Sequence, residues 1–169
     1  ASFGHWNSPL IEFTAVVFMV LAGFNFSMHF LAWRRRSLKV YLGDPESKAY
    51  VITLVAACVV VGVFLLVRGV YPDWGTSFRY AVFNVVSVAT TTGYASTDYN
   101  QWPTFAPILM LFLCGFATCA GSTGGGIKMI RGLVLLKQAR REMSRIVHPR
   151  AVNPIVIGEQ VIENKVIFA

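Results

Sequence analysis

Thr90, Thr91, Thr92 and Gly93, followed by Tyr94, sit in an apolar and mostly uncharged stretch that is too short to cross a bilayer, between two stretches that are long enough. Non-helical main chain at membrane depth has to be buried in protein or line a wet cavity, because its unpaired N–H and C=O groups otherwise cost several kcal/mol each. A monovalent cation stripped of its water shell needs a ring of oxygens, chiefly peptide carbonyls, to replace that shell. The segment from Thr90 to Tyr94 is therefore predicted to form one quarter of a cation filter. Gly93 would take a positive φ and turn neighbouring carbonyls to the axis, with no Cβ in the way. The same residues could make a plain extracellular turn, but their position after a half-span favours the filter.

A second cluster is the run Gly121-Ser122-Thr123-Gly124-Gly125-Gly126. A phosphate-cradling loop reads G-x-x-x-x-G-K-[ST]; here Ile127 stands where lysine belongs and Met129 where Ser or Thr belongs. The dinucleotide frame fails as well, because Met129 occupies its last glycine position. Four glycines in six residues cannot continue a comfortable helix, each costing about 1 kcal/mol relative to alanine. Such a break suits a constriction or gate lining a pathway, and close helix packing is the other use of small residues. Lys128 follows after Ile127, as a charge below the gate or as a simple cytoplasmic anchor.

The elements that must position these residues follow from hydropathy. The chain is 55% apolar with a mean hydropathy of +0.57, too oily for an ordinary soluble domain. A first span is predicted from Pro9 to Trp33, and a second from Ala49 to Val67 without a charge. A turn at Tyr71 to Gly75 leads to a half-helix from Thr76 to Ala89, and a third span runs from Pro103 to Cys119. A basic amphipathic helix, Ile127 to Arg145, comes after the glycine run, followed by an extended or hairpin-like connector from Asn153 to Ile162. The fold class is an all-α membrane protein made of helix-pore loop-helix repeats.

The formal net charge of +7 is unevenly placed. Arg34, Arg35, Arg36, Lys39, Lys48, Lys128, Arg131, Lys137, Arg140, Arg141, Arg145 and Arg150 lie on one predicted side, against Arg68 and Arg79 on the other. This asymmetry puts the loop 34–48 and the tail from about residue 128 to 162 in the cytoplasm, and it argues against a nucleic-acid partner. Cys58, Cys114 and Cys119 lie in apolar runs without metal or redox spacing and read as small hydrophobes. His5 and His148 have no ligand partners at metal spacing, and His148 before Pro149 reads as a helix end. Glu12 reads as a hydrated or paired carboxylate near the outer interface. Asn25, Ser27 and His29 either line a cavity or bond across helices. No nucleophile–base arrangement is present, so the chain does not read as an enzyme.

An internal comparison ties the spans together. Leu21-Ala22-Gly23-Phe24 matches Leu113-Cys114-Gly115-Phe116 at an offset of 92 residues, which also carries Arg36 onto Lys128 and Lys39 onto Arg131. Residues 1–33 are then the post-filter inner helix of an earlier repeat, and 34–48 a basic loop. Residues 49–146 form a complete repeat and 147–169 a connector toward another. The chain starts with Ala and shows no leader pattern of the secretory kind, and the expectation is a piece of a longer polypeptide.

Ala89-Thr-Thr-Thr-Gly-Tyr94, Trp102-Pro103, and above all Cys119-Ala-Gly-Ser-Thr-Gly-Gly-Gly-Ile-Lys128 with His148-Pro149-Arg150 resemble the Trk/Ktr/HKT potassium transporter superfamily, especially its bacterial pore-forming subunits. The resemblance covers essentially the whole chain. It implies four unequal repeats in one polypeptide of the bacterial inner membrane, Gly93 as the third repeat's filter glycine, and Gly121 to Gly126 as the intramembrane gating loop. It further implies K+ as the transported ion with no bound cofactor, pairing of full-length subunits as a homodimer in lipid, and a cytosolic, nucleotide-binding, TrkA-like regulatory subunit. Tetrameric potassium channels carry Thr-Val-Gly-Tyr-Gly; this chain has Ala95 at the second glycine, so fewer carbonyls aim inward. The competing readings are a subunit of a homotetrameric cation channel and a membrane scaffold that anchors a soluble partner through its basic helix.

Overall fold

The computed structural model describes residues 2–147, 155–157 and 160–162. Helix α1, Pro9–Gly23, starts on a proline whose missing N–H costs nothing in the first turn. Helix α2, Phe26–Arg35, is capped by Asn25, whose side chain accepts from the Ser27 N–H at 2.8 Å, and ends at Arg36 in the left-handed region. A short α3, Lys39–Gly43, leads to α4, Pro45–Val67, which Asp44 caps by accepting from the Ser47 N–H at 2.7 Å.

The stretch predicted as one span from Pro9 to Trp33 is thus two helices, bent by 98° at Phe24 and Asn25. The break is stabilised from far away in sequence. Cys119 N–H donates to the Gly23 carbonyl at 3.0 Å, Thr123 N–H to that of Ala22 at 3.3 Å, and Phe26 N–H to that of Gly121 at 3.1 Å. Tyr50 of α4 adds a hydroxyl bond to the Val20 carbonyl at 3.0 Å and covers Gly23 so closely that a Cβ there would lie 2.2 Å from its oxygen.

Helix α5, Trp74–Ala89, begins two residues before the predicted start because Asp73, rather than Gly75, sets the boundary. Its carboxylate accepts from the Thr76 N–H at 2.8 Å and the Thr76 hydroxyl at 2.9 Å. Those two bonds hold the Asp73 carboxyl below its ordinary pKa. Although only 16 residues long, α5 is heavily buried, with Ser77, Ala81, Phe83, Asn84, Val85, Val86, Ser87 and Ala89 all enclosed. It packs on α4 and α1, and the Phe78 ring fills the notch at Gly62. Bidentate bonds at 2.8 Å from Arg79 to Glu12, with a third at 2.9 Å to Asn7, fasten α5 to α1. Glu12 is therefore paired.

A single 3-10 turn, Tyr99–Gln101, precedes α6, Phe105–Cys114. The third predicted span is helical for only these ten residues, about 15 Å at 1.5 Å per residue. It ends at Cys114, five residues before the predicted end at Cys119. The chain then runs without helix to α7, Met129–Val147. Among the described residues α4 is the one continuous helix long and apolar enough to cross a bilayer. Strands β1, Ile155–Ile157, and β2, Gln160–Ile162, pair antiparallel within the segment where a hairpin-like connector is expected. His148, Pro149, Arg150, Asn153, Pro154, Gly158 and Glu159 lie outside the described residues.

Candidate functional site

The C-terminal end of α5 delivers the threonine–glycine segment. Thr90 is buried, and its hydroxyl donates to the Val86 carbonyl at 2.7 Å, which leaves the Thr92 hydroxyl to donate to the Thr90 oxygen at 2.9 Å. Thr91 has φ +58, a costly conformation for a β-branched residue and one that clusters at functional sites. The chain then folds back, with the Thr92 and Gly93 N–H groups both directed to the Ser87 carbonyl, at 2.9 and 3.3 Å. Gly93 has φ +80, and an added Cβ would meet nothing within 4 Å. Its glycine identity is set by backbone conformation rather than by packing within this chain.

Two side chains that sequence reasoning missed hold the segment leaving the turn. Ser87 Oγ donates to the Tyr94 carbonyl at 2.6 Å. The fully buried Asn84 donates to Ser96 Oγ at 3.0 Å and accepts from the Ser96 N–H at 3.3 Å. Their only sequence signal is a polar residue on an otherwise apolar short helix. The Tyr94 carbonyl is thereby turned into the protein. Among the described residues no donor reaches the carbonyls of Thr90, Thr91, Thr92 and Gly93. These four oxygens stand at the C-terminal end of α5, where the peptide dipoles supply about half a negative charge, which favours a cation.

The Tyr94 ring, 44% exposed, rests on Phe3 with centroids 4.9 Å apart. Phe3 N–H donates to the Ala95 carbonyl at 2.9 Å, and Ala95 N–H to Ser2 Oγ at 3.1 Å. Residues 2–3 thus lie beside 94–95, their counterparts at the 92-residue offset. The same offset relates Arg36, φ +46, to Lys128, φ +73, two non-glycine residues in the left-handed region.

The glycine run lies directly against this turn, with Gly125 N–H donating to Thr91 Oγ1 at 2.8 Å. Thr118 Oγ1 donates to the Gly125 carbonyl at 3.2 Å, and the Lys128 ammonium folds back onto the Gly124 carbonyl. Ser122 Oγ donates to the Cys119 carbonyl at 2.6 Å, and Thr123 Oγ1 to that of Ala22 at 3.1 Å. Gly126 combines φ +83 with a position where a Cβ would sit 2.4 Å from the Gly115 carbonyl oxygen, so a side chain there is excluded by both strain and space. A Cβ on Gly124 would strike the Thr118 side chain at 2.3 Å.

Glu46 was not singled out by the sequence, because an acid in a first helical turn looks like an ordinary partner of the helix dipole. It is 6% exposed, and its Oε1 accepts from the Ala120 N–H at 2.7 Å and the Ile130 N–H at 3.1 Å. Asn25 and His29 serve the break: Asn25 caps α2, and His29 bridges the Tyr41 hydroxyl at 2.7 Å and the Leu21 carbonyl at 2.9 Å. Among the described residues no group of three or more His, Cys, Asp or Glu side chains is placed to hold a metal ion.

A buried short helix thus ends in carbonyls that have no donor among the described residues, beside a glycine-rich break on an apolar helical frame. A family model described as TrkH, cation transport protein, matches residues 1–169. The Trk system potassium uptake protein TrkH of Salmonella typhimurium is 40% identical across 100% of this chain and 35% of its own length. Trk system potassium uptake protein TrkG of Escherichia coli is 32% identical over 98% of this chain and 34% of its own. The crystal structure of the potassium transporter TrkH from Vibrio parahaemolyticus superposes with a TM-score of 0.94 at 39% identity, covering 99% of this chain and 36% of that one. The chain belongs to the TrkH family of cation transport proteins, a transport family rather than an enzyme family. It spans about a third of the length of these relatives.

Proposed function

We propose that this chain forms part of a potassium uptake pore in the bacterial inner membrane, in which Thr90, Thr91, Thr92 and Gly93 supply filter oxygens. The observation that carries the reading is the turn at Gly93, whose φ of +80 accompanies four successive carbonyls without a donor among the described residues. Relatives named as Trk potassium uptake proteins support potassium as the ion. Tyr94 contributes its ring and backbone bracing rather than its carbonyl, which Ser87 already engages.

Gly121 to Gly126 is the gate beneath the filter, with Lys128 as a charge held against it. Direct bonding of Gly125 to Thr91 supports that stacking. Four repeats share one axis in the full polypeptide, a view supported by residues 2–3 pairing with 94–95. The basic segments 34–48 and 128–162 face the cytoplasm, where a nucleotide-binding, TrkA-like regulatory subunit engages them, and full-length subunits pair as a homodimer.

Uptake of rubidium and sodium by the full-length protein carrying Gly93→Ser tests the filter. The added side chain meets no atom of this chain within 4 Å, and the left-handed backbone costs roughly 1–2 kcal/mol for a non-glycine residue. Rubidium uptake and discrimination against sodium both fall. Parental values of both, with the protein in the membrane at parental level, overturn the proposal.

A further inference from the structure

The gating loop is anchored at its two ends by one carboxylate. Ala120 precedes the glycine run and Ile130 follows it, and the N–H groups of both converge on Oε1 of Glu46. Hydrogen bonds to an ionised acceptor are roughly twice as strong as neutral ones. The carboxylate is itself fixed, because Glu46 lies in the first turn of α4 behind the Asp44 cap and Pro45. The segment between the two donors is otherwise bonded to the end of α1, to the Phe26 N–H of α2, to Thr91, and to Gly115 and Thr118 just before it.

We propose that Glu46 is a positioning residue of the gate, clamping both ends of the glycine-rich loop so that the loop closes beneath the filter in one conformation. The inference rests on the pore reading above. An acid that only complemented the dipole of α4 would not have to reach two amides 74 and 84 residues away. Without the clamp, the two ends stay tied to each other through Gly115 and Thr118 but lose their common anchor on α4, and the closed arrangement becomes one of several.

The test uses full-length protein in membrane vesicles. Basal rubidium flux, rubidium-to-sodium discrimination and the rate at which a thiol reagent modifies Ser122→Cys are each measured with Glu46→Leu, Glu46→Gln and Glu46→Asp. Glu46→Leu removes the acceptor of both bonds and raises basal flux by at least about tenfold, the scale of a single lost charge-assisted bond, and it speeds modification at position 122. Discrimination holds, because the filter turn is bonded elsewhere. Glu46→Gln keeps an oxygen at the same reach and recovers more of the closed state than Glu46→Leu. If Glu46→Leu does not accumulate, Glu46→Asp, one methylene shorter, shifts flux and modification in the same direction by less.

Parental flux and modification in Glu46→Leu, or in Glu46→Asp where only that variant accumulates, overturn the inference. A loss of thermal stability without a change in modification also overturns it. Gly93→Ser in the same vesicles separates the two ideas. If it alters discrimination while the Glu46 variants change nothing, the clamp fails and the pore stands. If it too changes nothing, the pore reading fails first.

Discussion

Thr91→Val removes the hydrogen bond that, among the described residues, joins the Gly93 turn to the glycine-rich loop. Valine keeps the branched shape of threonine and the same strained φ of +58, so the substitution removes Oγ1 and little else. The lost bond is the one from the Gly125 N–H at 2.8 Å. A typical net bond is worth about 1 kcal/mol, and a fully buried orphaned N–H would cost up to about 3 kcal/mol. Gly125 and Thr91 are both exposed in this chain, so water can take over part of the bond and the lower figure applies. If the bond exists only with the loop closed, losing about 1 kcal/mol shifts the closed-to-open ratio roughly fivefold. Basal rubidium efflux from vesicles with full-length Thr91→Val rises by that factor, whereas Thr91→Ser, which retains the hydroxyl, stays near the parent. Unchanged efflux at equal protein level refutes the coupling, and a fall in efflux refutes its sign.

Two further expectations concern the frame. Glu12→Ala leaves Arg79 without its bidentate partner; breaking a fully buried pair costs roughly 3–5 kcal/mol, and with the Arg79 side chain 24% exposed about 2 kcal/mol is the working figure. Thermal unfolding of the purified full-length protein should register the loss, and a double-mutant cycle with Arg79→Ala should show the two effects to be non-additive; additive effects contradict the pairing. Asn84→Leu strips the Ser96 N–H and hydroxyl of their partner inside the protein, an orphaning worth about 1–3 kcal/mol. Since Ser96 closes the segment after Gly93, rubidium-to-sodium discrimination should drop, and full retention would mean that Asn84 does not hold the filter.

The parts of this arrangement that depend on nearby residues were readable in the sequence. The apolar run from Thr76 to Ala89 specifies a short helix, although its Asp73 cap and start at Trp74 were not anticipated, and Gly93 after three threonines specifies a turn with positive φ. The missing parts were those set by partners far along the chain. Nothing in Gly23-Phe24-Asn25 announces a 98° bend, because one glycine in an apolar run is compatible with a continuous helix. The bend is stabilised by donors from Cys119 and Thr123. Glu46 and the Glu12–Arg79 pair were hidden for the same reason. The internal match had nevertheless marked the place, since Leu21 to Phe24 and Leu113 to Phe116 are where α1 and α6 each end.

The two breaks satisfy each other. A helix ending in an apolar environment leaves its last carbonyls without partners, and a glycine-rich loop there leaves N–H groups equally exposed. Here the carbonyls of Ala22 and Gly23 take the N–H groups of Thr123 and Cys119, while the Gly121 carbonyl takes that of Phe26. Neither break could persist alone at membrane depth, where an unpaired group costs several kcal/mol. The loop therefore cannot withdraw into a dry space. Its departure uncovers the end of α1, and those carbonyls need water in the same movement. If the run is the gate proposed above, loop motion and the wetting of the carbonyls it uncovers are one event rather than two.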